Sequence, residues 1–277
     1  MCKIEFKRII SALCKKEKNV EIEHTENVDN ETTQTQEKPQ EQKIEEDTPH
    51  EYIDTTENIK TEMKNVVICL DNGHGEETPG KRSPWSACKV PPELPFREYE
   101  YTRELVKRLT VFLENDGFEV YTVVPETYDV SLAERCKRIN NKVKEANTQG
   151  KHTLMVSVHN NAAGNGSEWK EAYGWSVWTT RGQNNSDKLA QCLYDAAVEI
   201  LTPLGQKTRH DRTDGDDDYE ANFYITKGSN CPAVLVENMF QDCIKEVQWM
   251  LTEEGKNALV EIHRKGINDF VNTMNWK

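Results

Sequence analysis

Val66-Val67-Ile68-Cys69-Leu70-Asp71-Asn72-Gly73-His74-Gly75 is the stretch that sets the fold class. Its apolar run shows no polar alternation, which is the pattern of a strand buried on both faces. A Gly-rich turn carrying a histidine follows at once. The same arrangement recurs twice: Leu154-Met155-Val156-Ser157-Val158 runs into His159-Asn160-Asn161, and Ala233-Val234-Leu235-Val236 runs straight into Glu237. Further strands are expected over 119–124 and 173–179. Helices are expected over 98–116 (with Gly117 as the stop), 131–148, 186–201 and 254–274. Strands alternating with helices at these lengths predict one α/β domain, a largely parallel twisted sheet with helices on both faces.

Ligands of open α/β sheets bind beyond the carboxyl ends of the strands. Three strand ends here deliver two imidazoles, His74 and His159, and a carboxylate, Glu237. A fourth group comes from the first helix. Leu105, Leu109 and Phe112 form its apolar stripe, with Tyr101 and Thr102 completing it. At roughly 100° per residue Glu98 lies about 20° from the direction of Leu105, so it points inward, whereas Glu100 and Glu104 turn away. An inward carboxylate is costly unless it is paired or binds a metal.

Each of the four has an ordinary structural explanation. His74 can be a loop residue shaped by its glycines, and His159 a satisfied core histidine. Glu98 can be an N-terminal acid facing the helix dipole, and Glu237 an ion-pair partner. Their convergence on one sheet edge favours a common site. Two His, a Glu and an extra carboxylate suit a zinc hydrolase, in which three N/O ligands leave a position for water and a nearby carboxylate manages protons. The other histidines are given bland roles: His24 and His50 in the N-terminal tail, His152 at a turn, His210 in a polar loop, and His263 at the surface of the last helix.

Around these residues the match to a family becomes specific. Residues 66–277 resemble the zinc-dependent N-acetylmuramoyl-L-alanine amidases, the type-3 amidase family of bacterial autolysins and phage endolysins. Asp71-Asn72-Gly73-His74-Gly75 is similar to the family's D-P-G-H-G, and Ser157-Val158-His159-Asn160-Asn161-Ala162 to S-x-H-x-N-A. Pro232–Glu237 matches P-A-V-L-V-E, and Asp129–Arg135 is similar to D-x-x-x-L-x-x-R. Glu98 falls where the family has its ligand glutamate. The resemblance implies one Zn²⁺ per chain held by His74, Glu98 and His159, with Glu237 as general base. It implies peptidoglycan as substrate, cut at the amide between the N-acetylmuramic acid lactyl group and L-Ala of the stem peptide. Asn161 is a candidate for holding substrate or orienting a ligand, and Asp71 for supporting a ligand from behind. Departures from the family pattern are Asn72 for Pro, Glu76 for Gly, Val123-Val124-Pro125 for Thr-Arg, and a long insertion over 79–96. Two competing readings are a zinc hydrolase of another peptide amide and a non-catalytic peptidoglycan-binding module.

The chain has 277 residues, a formal net charge of −13 and 30% charged residues, with a mean hydropathy of −0.81. Segment charges are +4 over 1–19, −10 over 20–65 and −7 over 66–277. This acidic balance argues against nucleic acid as the main partner. No stretch approaches the roughly 20 apolar residues of a membrane span. Residues 1–19 read as a basic segment, either a short amphipathic helix for an anionic surface or a solvated tail. Residues 20–65 are rich in Glu, Thr, Gln and Asn and read as a disordered acidic linker. The N-terminal apolar run is broken by Glu5, Lys7 and Arg8, so no signal peptide is recognised. Synthesis in the cytoplasm, with action on the wall after release or export, is therefore expected. The preferred setting is a phage or prophage endolysin, and the runner-up a host enzyme. The eight cysteines show no metal or disulfide spacing and are expected as free thiols, with a Cys231–Cys243 pair as the one alternative.

Overall fold

A computed structural model describes residues 63–85 and 95–276. The expected basic segment 1–19, and the acidic linker up to residue 62, lie outside the described residues. Strands β1 (Val66–Asn72), β2 (Glu119–Thr122), β3 (His152–Asn161), β4 (Ser176–Thr179), β5 (Tyr219–Glu220) and β6 (Ala233–Phe240) form one sheet in the order β2-β1-β3-β6-β4-β5. The helices are α1 (Glu98–Asn115), α2 (Leu132–Thr148), α3 (Asn185–Leu201), α4 (Tyr224–Gly228), α5 (Ile244–Met250) and α6 (Glu253–Thr273). Every residue of β1 is buried, as its unbroken apolar run requires.

The pairings β2–β1, β1–β3, β3–β6 and β4–β5 are parallel, and β4–β6 is antiparallel. The sheet is thus largely parallel, with one reversal that the sequence did not signal. Cys69, Met155 and Leu235 pack with Ile139 and Val143 of α2 and Ile225 of α4 in one apolar layer. The alternate residues Ile68, Leu70, Leu154, Val156, Val234 and Val236 are fully or almost fully buried as well, which requires cover on the second face too.

Helix ends follow local chemistry. Ser131 caps α2 by accepting from the Glu134 N–H (3.3 Å), Thr252 caps α6 through the Gly255 N–H (3.0 Å), and Asn184 and Asp187 close a capping box on α3. Along α1, Glu98, Tyr101, Thr102, Leu105, Leu109 and Leu113 are buried, while Phe112 is only half-buried and stacks under the Arg264 guanidinium. Among the described residues no helix is long and apolar enough to cross a membrane. Cys69, Cys136, Cys192, Cys231 and Cys243 are free thiols, so the alternative Cys231–Cys243 pair does not form.

One expectation is corrected. His263 is 1% exposed, not at the surface. It lies on the same α6 stripe as Leu259, Ile262, Gly266, Ile267 and Phe270, all buried, and its Nδ1–H donates to the Leu259 carbonyl (2.7 Å). Burial lowers its pKa to about 4, so the ring is neutral.

Candidate metal centre

The turn after β1 is fixed from three sides. The Gly73 N–H donates to the Val158 carbonyl (2.9 Å), tying the turn to β3. A Cβ on Gly73 would overlap the His159 ring, so glycine is what lets the two pack this closely. His74 follows with φ +61, in the left-handed region. Its carbonyl accepts from Arg103 Nη2 (3.1 Å) and Arg135 Nη2 (3.2 Å).

Glu98 is the first residue of α1 and is fully buried. Its Oε1 lies 3.5 Å from His74 Nε2 and 3.2 Å from His159 Nδ1, and accepts from the Asn160 N–H (2.9 Å). Its Oε2 accepts from Gln241 Nε2 (3.0 Å). The two imidazole centroids are 4.8 Å apart, edge to face. One donor atom from each of His74, Glu98 and His159 falls within 4.8 Å of the others. The inward direction expected for Glu98 and the convergence of the three side chains are both found.

Burial, opposed in part by the Glu98 charge, lowers the His74 pKa to about 4, so this ring is neutral in the form that can coordinate. For His159 burial acts the same way, but the hydrogen bond and charge of Glu98 outweigh it and raise the pKa. Burial also works against the Glu98 charge, and the two imidazoles overcome it and lower its pKa.

Glu237 is paired in register with His159 across β3 and β6. It is partly exposed as a residue, yet its Oε2 is buried without a hydrogen-bond partner. Burial, with the Glu98 charge adding to it, pushes its pKa up to about 7. Just beyond, the register shifts between His159 and Asn161, and Met239 takes φ +64. This is a β-bulge at the site edge.

Asp71 and Asn161 are placed differently from the three converging groups. Asp71 is buried and accepts from Arg135 Nη1 (2.8 Å) and Ser157 Oγ (2.6 Å). It reaches the His74 turn through Arg135, which also donates to the Asn72 carbonyl (2.8 Å). Asn161 is half-buried and folds its Oδ1 back onto the Ala162 N–H (2.8 Å). Arg103, Arg135 and Gln241 join the site without a role expected from the sequence. Arg135 stands in the quoted Asp129–Arg135 motif, which was a usable signal, whereas nothing near Gln241 or Arg103 announces its long-range partner.

A buried carboxylate between two imidazoles, at the carboxyl end of a mostly parallel sheet, defines an α/β protein with a candidate divalent-metal centre. The family model described as N-acetylmuramoyl-L-alanine amidase matches residues 68–269, and the chain belongs to that family of hydrolases. The endolysin of Bacillus phage SPP1 is 26% identical over 208 residues, 74% of this chain and 66% of the endolysin, so the chain spans just under two thirds of that relative. The fold is shared with an N-acetylmuramoyl-L-alanine amidase from Clostridium difficile 630. That match has TM-score 0.60 and 22% identity, over 77% of this chain and 98% of the other. The amidase AmiC2 of Nostoc punctiforme matches with TM-score 0.57 and 19% identity, over 76% of this chain and 99% of the other.

Proposed function

We propose that this chain is a peptidoglycan amidase that cleaves the bond between the N-acetylmuramic acid lactyl group and L-Ala of the stem peptide. In this reading His74, Glu98 and His159 hold one Zn²⁺ and Glu237 carries the proton. The observation that carries the reading is a three-donor cluster, two half-buried imidazoles around the fully buried Glu98, beside a glutamate whose Oε2 has no partner. Two nitrogens and one carboxylate oxygen match zinc in donor type and leave a coordination position open. When bound, the ion polarises the scissile carbonyl and makes the attacking water more acidic.

The protein's own groups supply the rest. Asn160 N–H and Gln241 hold the Glu98 carboxylate so that Oε1 faces both imidazoles. Arg103 and Arg135 hold the His74 backbone. Glu237 takes the proton from the attacking water and returns it to the leaving amine. Its Oε2, buried without a hydrogen-bond partner, is free to accept that proton, as a general base requires. Asn161 spends its Oδ1 on Ala162 and offers its NH₂ to the substrate, and Asp71 acts on His74 through Arg135. The endolysin relative supports cell-wall degradation in a phage or prophage setting.

The test is mass spectrometry of purified muropeptides incubated with zinc-loaded protein, with a chelator control. Free stem peptide beginning in L-Ala plus intact glycan, abolished by chelation, is the expected result. Cuts within the peptide would favour a hydrolase of another amide, and intact muropeptides a binding module.

A further inference from the structure

A second group of acids lies at the sheet edge formed by β4 and β5. Asp187 comes from the first turn of α3, where it closes the capping box, and Asp216 and Asp218 come from the polar loop that leads into β5. One carboxylate oxygen from each falls within 4.8 Å of the others. Asp218 is only 2% exposed, and its Oδ1 is buried with no hydrogen-bond partner; Asp216 Oδ1 is orphaned in the same way. Thr179, at the end of β4, sets its hydroxyl against both Asp187 Oδ1 (3.3 Å) and Asp218 Oδ2. A hydroxyl has one proton to donate, so it satisfies only one of the two at a time.

Among the described residues no Lys or Arg forms an ion pair with Asp187, Asp216 or Asp218. The neighbouring Asp217, by contrast, pairs with Arg212 Nε at 2.6 Å. A cleft of about 400 Å³ opens beside the group, lined by Asp187, Asp216, Gln183, Gln191 and Lys188, whose ammonium forms no ion pair with any of the three acids. Buried carboxylate oxygens with neither a donor nor a counter-charge are costly. Burial and the facing Asp216 push the Asp218 pKa up to about 7, and a cation among the three oxygens relieves the same repulsion while keeping all three acids ionised.

We propose that Asp187, Asp216 and Asp218 hold a Ca²⁺ ion that ties the 211–218 loop to the start of α3 and the end of β4. The donors are all oxygens, which selects a hard cation and separates this site from the imidazole-containing one. Calcium accepts six to eight oxygens in irregular arrangements, so waters in the adjoining cleft complete its shell, whereas magnesium demands a near-ideal octahedron. The consequence is structural. Tyr219, directly after Asp218, opens β5, which pairs with β4, and β4 pairs with the β6 strand that carries Glu237. The ion thereby orders the edge that backs β6.

The experiment uses the full chain, stripped of metals and reloaded with one equivalent of Zn²⁺. Bound Ca²⁺ is measured by equilibrium dialysis at up to about 1 mM, the weak end of known calcium sites, and thermal melts are run with and without Ca²⁺. One Ca²⁺ per chain and a Tm rise of several degrees are expected. Asp218→Asn should lose both while retaining zinc. It should melt at or above the parent in calcium-free buffer, because a repulsive charge has gone. Asp216→Asn, at a half-buried position, carries the test if Asp218→Asn fails to fold. No bound Ca²⁺ and no shift in the parent would overturn the proposal, as would binding and shift unchanged in both variants. An equal shift with Mg²⁺ would overturn the choice of calcium.

Discussion

Replacing Arg135 by Met tests whether the buried ion pair behind β1 is what holds the His74 turn. Arg135 is 2% exposed and Asp71 1%. The guanidinium donates to Asp71 Oδ1 (2.8 Å), Asp129 Oδ1 (3.1 Å) and the carbonyls of Asn72 (2.8 Å), His74 (3.2 Å) and Val130 (2.7 Å). Met keeps most of the length and apolar volume but removes every donor, leaving Asp71 buried with Ser157 as its remaining partner. Breaking a buried pair by removing one member costs about 3–5 kcal/mol, chiefly the penalty of the stranded charge. At about 2–4 °C per kcal/mol for a domain of this size, Tm should fall by roughly 6–20 °C. Removing the stranded charge as well, in Arg135→Met with Asp71→Asn, should recover part of the loss, giving a coupling of about 1–3 kcal/mol in a double-mutant cycle. The His74 carbonyl would retain Arg103 alone, so zinc affinity should fall about 10–100-fold, as for other groups that support a ligand from behind. Urea titration and competition with a chromogenic chelator read the two effects. Arg135→Met melting within about 2 °C of the parent, with unchanged zinc affinity, would refute the reasoning.

Gly73→Ala puts a methyl into the His159 ring and should empty the centre of zinc while far-UV dichroism stays native; zinc retained at parental stoichiometry counts against this packing. Glu237→Gln should keep its zinc and lose turnover by about 10²–10⁴-fold, as for a general base, and loss of the metal would mean that ligand and base have been confused. His263 titrates at about 4 when folded and near 6.5 when unfolded, so the unfolded chain binds the proton first as pH falls. Stability should therefore drop between about pH 6.5 and 4, by about 3 kcal/mol in full. His263→Met should flatten that part of the Tm–pH curve, and an identical slope would remove His263 as the cause.

What the sequence made readable follows the range of the forces involved. Unbroken apolar runs at 66–70, 154–158 and 233–236 report burial on both faces, and the helical period alone turns Glu98 inward. The reversal of β4 was not readable, because Ser176–Thr179 is short and its direction is set by pairing with β6. Helices α4 and α5, of 5 and 7 residues, are too short to show a period. A lone polar residue such as His263 hides an otherwise apolar stripe, although Gly266 on the same stripe sits so tightly that a Cβ there would lie 2.7 Å from Leu193 Cα. Gln241 and Arg103 act through partners 143 and 29 residues away, and no local pattern encodes such a bond.

In the proposed reading, the ordinary explanation of Glu98 and the functional one are parts of one device. A fully buried carboxylate would normally be driven to its neutral form. Here it stands at the N-terminus of α1, where the helix dipole favours a negative charge, and it accepts from the Asn160 N–H and from Gln241. Those contacts orient the carboxylate, and the hydrogen bond from His159 with the charge of both imidazoles lowers its pKa against the desolvation, so it is aimed at both rings in the form that can coordinate. Register does the same for Glu237. The His159–Glu237 pairing fixes which face the glutamate presents, and a slip of one residue between β3 and β6 would turn it to the opposite side of the sheet. A site built from ends of β1, α1, β3 and β6 therefore depends less on any one loop than on the sheet keeping its pairing. On that reasoning, substitutions that loosen β6 against β3 should damage turnover through Glu237 well before they release the metal.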